Sequence, residues 1–189
     1  MFILDKMDVA FLLTGDRDTF PKQKQSTIEA IKKLPVSSQR NKIAFIVQSD
    51  DRGSKQPLTF DKPRVVQKLQ NKAIPTSNQP SIRQILDKSV ELFDTKNGGR
   101  PGVPKVLMAF VNDKVVGYDA NAIERPLKKL VDRGIKVVLL PIDGGYSLDI
   151  LPTNIKDNVD QVKDLDKDDD IKDILEKILN SLKNGYYTI

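Results

Sequence analysis

Asp8-Val9-Ala10-Phe11-Leu12-Leu13-Thr14-Gly15-Asp16-Arg17-Asp18-Thr19 sets an unbroken apolar run, Val9–Leu13, against an abrupt polar and acidic turn. A short run with no polar alternation suits a strand buried on both faces, as in the middle of a parallel sheet covered by helices. Three further runs have the same character: Ile43–Val47, Val106–Val111 and Val137–Ile142. The segments between them carry helical periodicity. Phe20, Ile28, Ile31 and Leu34 share one helix face that ends before Pro35, and Pro63 opens a short helix carrying Val65, Val66 and Leu69, with Asp61 near its cap. Ile82, Ile85, Leu86, Ser89 and Phe93 form an amphipathic stripe. Ile123, Leu127, Leu130 and Val131 form another, closed by Gly134 at a helix C′ position. Ile171, Ile174, Leu175, Ile178, Leu179 and Leu182 predict a last helix. Asp168–Asp170 sit at its positive end, where a dipole role is preferred to a calcium site.

Strands alternating with helices predict an α/β fold: a doubly wound, mostly parallel central sheet flanked by helices, of about six strands. Leu58–Phe60 is expected to be a short antiparallel edge strand, and Val159 with Val162 gives a weak signal for a second edge. Lys96–Pro104, rich in glycine and proline, reads as a surface loop before a central strand. Residues 1–189 are expected to form one domain.

Composition removes several chemistries. The chain has no histidine and no cysteine, so Ser-His and Cys-His nucleophile systems, histidine-ligated zinc hydrolases and disulfides are excluded. A resident metal would be a hard cation held by oxygens. The net charge is +5, yet basic residues are interspersed with acidic ones. That scatter predicts a mixed, solvated surface in preference to a nucleic-acid face. The sequence holds no apolar run of the roughly 20 residues a membrane span requires, and its first residues show no signal-peptide pattern.

In an open parallel sheet, ligands bind beyond the carboxyl ends of the strands, where the strand order reverses. The segments following the apolar runs are polar there: Thr14–Thr19, Asp50-Asp51, Asn112-Asp113-Lys114 and Asp143-Gly144-Gly145. The first and third long strands are expected to be neighbours. Neither G-x-G-x-x-G nor G-x-x-x-x-G-K-[ST] follows the first run, and carboxylates in that loop would repel phosphate, so dinucleotide and P-loop chemistry are disfavoured.

Three stretches resemble the von Willebrand factor A family in its matrix and collagen-type branch. Asp8–Gly15 is similar to its first strand and the opening of its metal loop. Arg100-Pro101-Gly102-Val103-Pro104-Lys105-Val106-Leu107 is similar to the approach to its fourth strand, and Arg133-Gly134-Ile135-Lys136-Val137-Val138 to the entry of its fifth. The family holds a divalent cation at a metal-ion-dependent adhesion site built from a D-x-S-x-S loop, a threonine and an aspartate. The resemblance places the first three positions on Thr14, Asp16 and Asp18. The threonine falls near Gln79, with Thr76 and Ser77 beside it, and the aspartate is Asp113. The leading carboxylate is thus lost and both serines are replaced by aspartates. Two readings stay open: a vestigial site whose carboxylates pair with Arg17 or Lys114 and bind no metal, or an altered site in which Asp16, Asp18 and Asp113 hold Mg²⁺ or Ca²⁺.

The resemblance implies a non-enzymatic, protein-binding adhesion module of an extracellular matrix protein, with collagen as a candidate partner, no nucleic acid and no membrane insertion. The expected partner surface comprises Thr14–Thr19, Pro75–Ser81 and Asn112–Tyr118, with Arg17, Lys114 and Tyr118 as contact residues. The alternatives are an intracellular, cytoplasmic scaffold domain of the same fold and, less favoured, a metal-dependent hydrolase using the three aspartates.

Overall fold

The computed structural model describes residues 6–14, 17–48, 55–75, 81–111, 121–142 and 159–161. Six strands form one sheet in the order β3-β2-β1-β4-β5-β6: β1 Asp8–Leu13, β2 Lys42–Val47, β3 Lys55–Thr59, β4 Lys105–Val111, β5 Ile135–Pro141 and β6 Val159–Gln161. Every pairing is parallel except β2 with β3, which runs antiparallel at the edge with a register shift between Ile43 and Phe45. Pro57 is tolerated in β3 because an edge strand need not donate on its outer side. The helices are α1 Phe20–Lys33, α2 Lys62–Gln70, α3 Ile82–Glu91 and α4 Asn121–Asp132.

Side-chain alternation along β1 explains its unbroken apolarity. Val9, Phe11 and Leu13 enter one core with Phe20, Ile28 and Ile31 of α1 and Val65 and Leu69 of α2. Ala10 and Leu12 enter a second core with Ile85 and Leu86 of α3 and Leu127 and Leu130 of α4. With neighbours on both faces, no position of β1 can carry a solvated side chain, and all are buried. The expected edge strands are both present. Val162, the expected last helix and Asp168–Asp170 lie outside the described residues.

Local chemistry sets the helix ends. Asp61 caps α2, its carboxylate accepting from the Arg64 amide at 3.0 Å. Ser81 and Gln84 form a reciprocal capping box on α3. α1 stops where Leu34 turns extended ahead of Pro35. Gly134 takes φ +66° after α4, the left-handed C′ geometry expected of it.

The Lys96–Pro104 stretch is the expected loop before a central strand, and it packs inward at one residue. A 3₁₀ turn, Thr95–Asn97, precedes Gly99, which is buried. A Cβ on Gly99 would collide with the Phe93 carbonyl. Arg100 then reaches the amino end of β1, where Asp8 is fully buried. The Arg100 amide donates to Asp8 Oδ2 and its Nε to Oδ1, each at 2.8 Å. The guanidinium also donates to the Arg40 and Met7 carbonyls, both at 2.8 Å. Two of the stretches that carry the family resemblance are therefore joined by a buried ion pair. It lies at the end of the sheet opposite the expected site.

The mixed surface expected from the sequence holds for only one helix layer. On α3 and α4, Lys129 pairs with Asp87, Lys128 with Asp132 and Arg133 with Asp94. On α1 and α2, lysines dominate and meet backbone carbonyls instead: Lys24 reaches Gln70 and Lys72, and Lys62 reaches Lys32. Interspersion along the chain does not survive folding, because the acidic partners fall mostly on the other layer.

Candidate functional site

The strand order reverses between β1 and β4, which pair in register from Asp8–Lys105 to Leu12–Ala109. The first and third long strands are thus neighbours, as expected, and the crevice beyond their carboxyl ends is the place this topology offers a ligand. Of the predicted site residues, Thr14, Arg17 and Asp18 are described. Asp16, Thr76, Gln79, Asp113, Lys114 and Tyr118 lie outside the described residues.

Thr14 follows β1 directly and is fully buried. Arg17 and Asp18 are exposed. What holds Thr14 is Gln23, one turn into α1 and also fully buried. The Thr14 amide donates to Gln23 Oε1 at 2.9 Å. This bond fixes the orientation of the Gln23 amide, since a backbone N–H can only donate and must face the oxygen. Nε2 consequently points at the two hydroxyls. It donates to Thr14 Oγ1 at 2.7 Å and to Thr19 Oγ1 at 2.9 Å. Both Nε2 protons are committed, and the network joins the end of β1 to the start of α1 without a formal charge.

Gln23 was missed in the sequence reading, although a signal for it existed. It lies three residues after Phe20 and eight before Ile31, on the apolar face of α1. A polar side chain there must find a buried partner or lose stability, and the polar loop after β1 is the nearest source.

The family's cation is tested against this geometry. The resemblance puts Thr14 where the leading carboxylate would be, and its hydroxyl oxygen already accepts a hydrogen bond from Gln23. Hard cations need oxygen lone pairs turned toward them, preferably charged ones. With one lone pair already used by Gln23 and no charge of its own, Thr14 is a poorer fit to a hard cation than the carboxylate it replaces.

Residues 7–186 match the von Willebrand factor type A domain. The chain belongs to that family. Solved structures agree on the fold of this A domain. Proximal thread matrix protein 1 from the mussel byssus superposes with a TM-score of 0.70 at 16% identity over 94% of the chain. The chain spans about half of that protein's length, 48%. The mussel protein has also been solved with a zinc-occupied adhesion motif. An aerotolerance-related membrane protein from Bacteroides fragilis, carrying multiple mutations to serine, gives 0.64 at 13% identity, with 95% of this chain and 100% of that one covered. The conserved hypothetical protein BatB from Bacteroides thetaiotaomicron gives 0.61 at 15% identity, covering 94% and 98%. Among curated protein sequences none matches. No helix among the described residues is long and apolar enough to cross a membrane.

Proposed function

We propose that residues 1–189 form a single A domain that acts as a non-enzymatic protein-binding module of an extracellular matrix protein, and that it engages its partner without a cation. A domains commonly mediate protein interactions, and the fold supplies the usual crevice between β1 and β4. The Gln23 network carries the second half of the reading. Its amide satisfies Thr14 and Thr19, so the end of β1 is tied to α1 by neutral groups where the family places a carboxylate. Asp16, Asp18 and Asp113 then serve as loop carboxylates, with Arg17, Lys114 and Tyr118 offered to the partner. A hydrolase is disfavoured because the chain has no histidine to serve as general base.

Collagen is the candidate partner to test first. Binding of the full chain to immobilised fibrillar collagen should be equal in EDTA and in millimolar Mg²⁺, and should weaken on Arg17→Ala. Binding that disappears in EDTA contradicts the cation-independent mode. Failure to bind collagen in either buffer removes collagen and leaves the protein-binding role to be tested with other matrix components.

A further inference from the structure

We propose that the outer surface of α1 and α2 binds a linear sulfated polysaccharide through a row of basic side chains. The surface lies on one face of the sheet, away from the crevice between β1 and β4, so the interaction is separate from the one proposed above.

Three observations support it. The first is spacing. Arg64 and Lys68 lie one turn, about 6 Å, apart on one face of α2, and Lys72 follows two residues past its end. The adjoining α1 adds Lys32 and Lys24. The second is the way these charges are held. Lys24, Lys62 and Lys68 donate to backbone carbonyls, which orient the ammonium groups without neutralising them. Lys24 sits at the carboxyl end of α2 and Lys62 at that of α1, so each helix end fixes a lysine from its neighbour. The side chains of Lys32, Arg64 and Lys72 form no hydrogen bond or ion pair among the described residues. Burial, then Lys72 and Arg64, push the Lys68 ammonium below its ordinary pKa, as expected for crowded positive charge without a counter-charge.

The third observation concerns the kind of anion. The described part of this surface is lysine-rich and shows one exposed large apolar side chain, Ile74. Phe60, the exposed aromatic near α2, lies under Lys42, whose Nζ is 4.7 Å from the ring centroid. With Phe60 covered by Lys42, the described part of this surface offers neither an open stacking platform for nucleic-acid bases nor the apolar face of a membrane-inserting helix. A row of point charges on flexible stems suits sulfate groups along a polymer.

The test uses heparin as the probe and the full chain, with two triple variants of equal net charge. Lys32→Glu/Arg64→Glu/Lys72→Glu reverses the proposed row. Arg83→Glu/Lys88→Glu/Arg125→Glu reverses three exposed residues on the α3 and α4 layer. Among the described residues none of the six side chains has a hydrogen-bond or ion-pair partner to lose, and circular dichroism melts check that both variants fold. The unaltered chain should bind heparin with salt-dependent affinity. The first triple should bind at least about tenfold more weakly, and the second should lose much less. Equal loss in both triples overturns the proposal in favour of net charge alone. No binding by the unaltered chain also overturns it. Double-stranded DNA or polyglutamate binding as tightly as heparin under the same salt assigns the surface to another polyanion and likewise overturns it.

Discussion

Gln23 shows how one buried side chain can tie the end of a strand to the helix that follows it. Its amide ties the end of β1 to the start of α1 through three bonds, all buried. Gln23→Ala would leave the Thr14 amide without its acceptor and open a cavity. The expected loss is about 2–4 kcal/mol of unfolding free energy, read by urea denaturation. A loss below about 0.5 kcal/mol, the range of an ordinary surface substitution, would mean the network does not hold the loop. Arg100 has a comparable role at the other end of the sheet. Arg100→Ala strands the Asp8 carboxylate in the interior and should cost about 3–5 kcal/mol. Arg100→Lys should recover only part, since an ammonium cannot reproduce the planar set of bonds to Asp8, Arg40 and Met7. Neither residue declared its partner in the sequence. Asp8 and Arg100 were quoted for their resemblance, but a contact across 92 positions of chain is made only by the register of β1 against β4.

Elements were more legible than contacts. The apolar runs became β1, β2, β4 and β5 because burial on both faces leaves no room for polar alternation. The weaker signals at Leu58–Phe60 and Val159 marked true edge strands, where one side of the strand is free of that constraint. Lys96–Pro104 is the expected loop before β4, but glycine and proline mark a change of direction without saying which residue packs inward. Gly99 is there for close approach to the Phe93 carbonyl. The capping box on α3 gives a prediction at this scale. Ser81→Ala removes the acceptor for the Gln84 amide and should cost about 1 kcal/mol, measured by the shift in denaturation midpoint at constant slope. A change in slope instead would point to a less compact denatured or native state, not to loss of a cap.

At the scale of the molecule, the sequence carried the layer architecture and the location of the crevice, because strand order and the carboxyl-end rule follow from connectivity. It did not carry the distribution of charge. Lysines and aspartates pair on the α3 and α4 layer while lysines predominate on α1 and α2, and only the folded arrangement shows which of them meet. Nor did it show what holds Thr14, since Gln23 comes from α1 and not from the loop. The central claim is that this A domain secures its first loop with a neutral hydrogen-bond network in place of a cation. Thermal unfolding in EDTA, compared with millimolar Mg²⁺, Ca²⁺ or Mn²⁺, tests it most directly. A cation present at about 100 times its dissociation constant would add roughly 2.7 kcal/mol, a rise of roughly 5–10 °C for a domain of this size. The account predicts the same melting temperature in every buffer. A clear rise with any of the three ions, lost again in Asp113→Ala, would contradict it and show that the loop still holds metal.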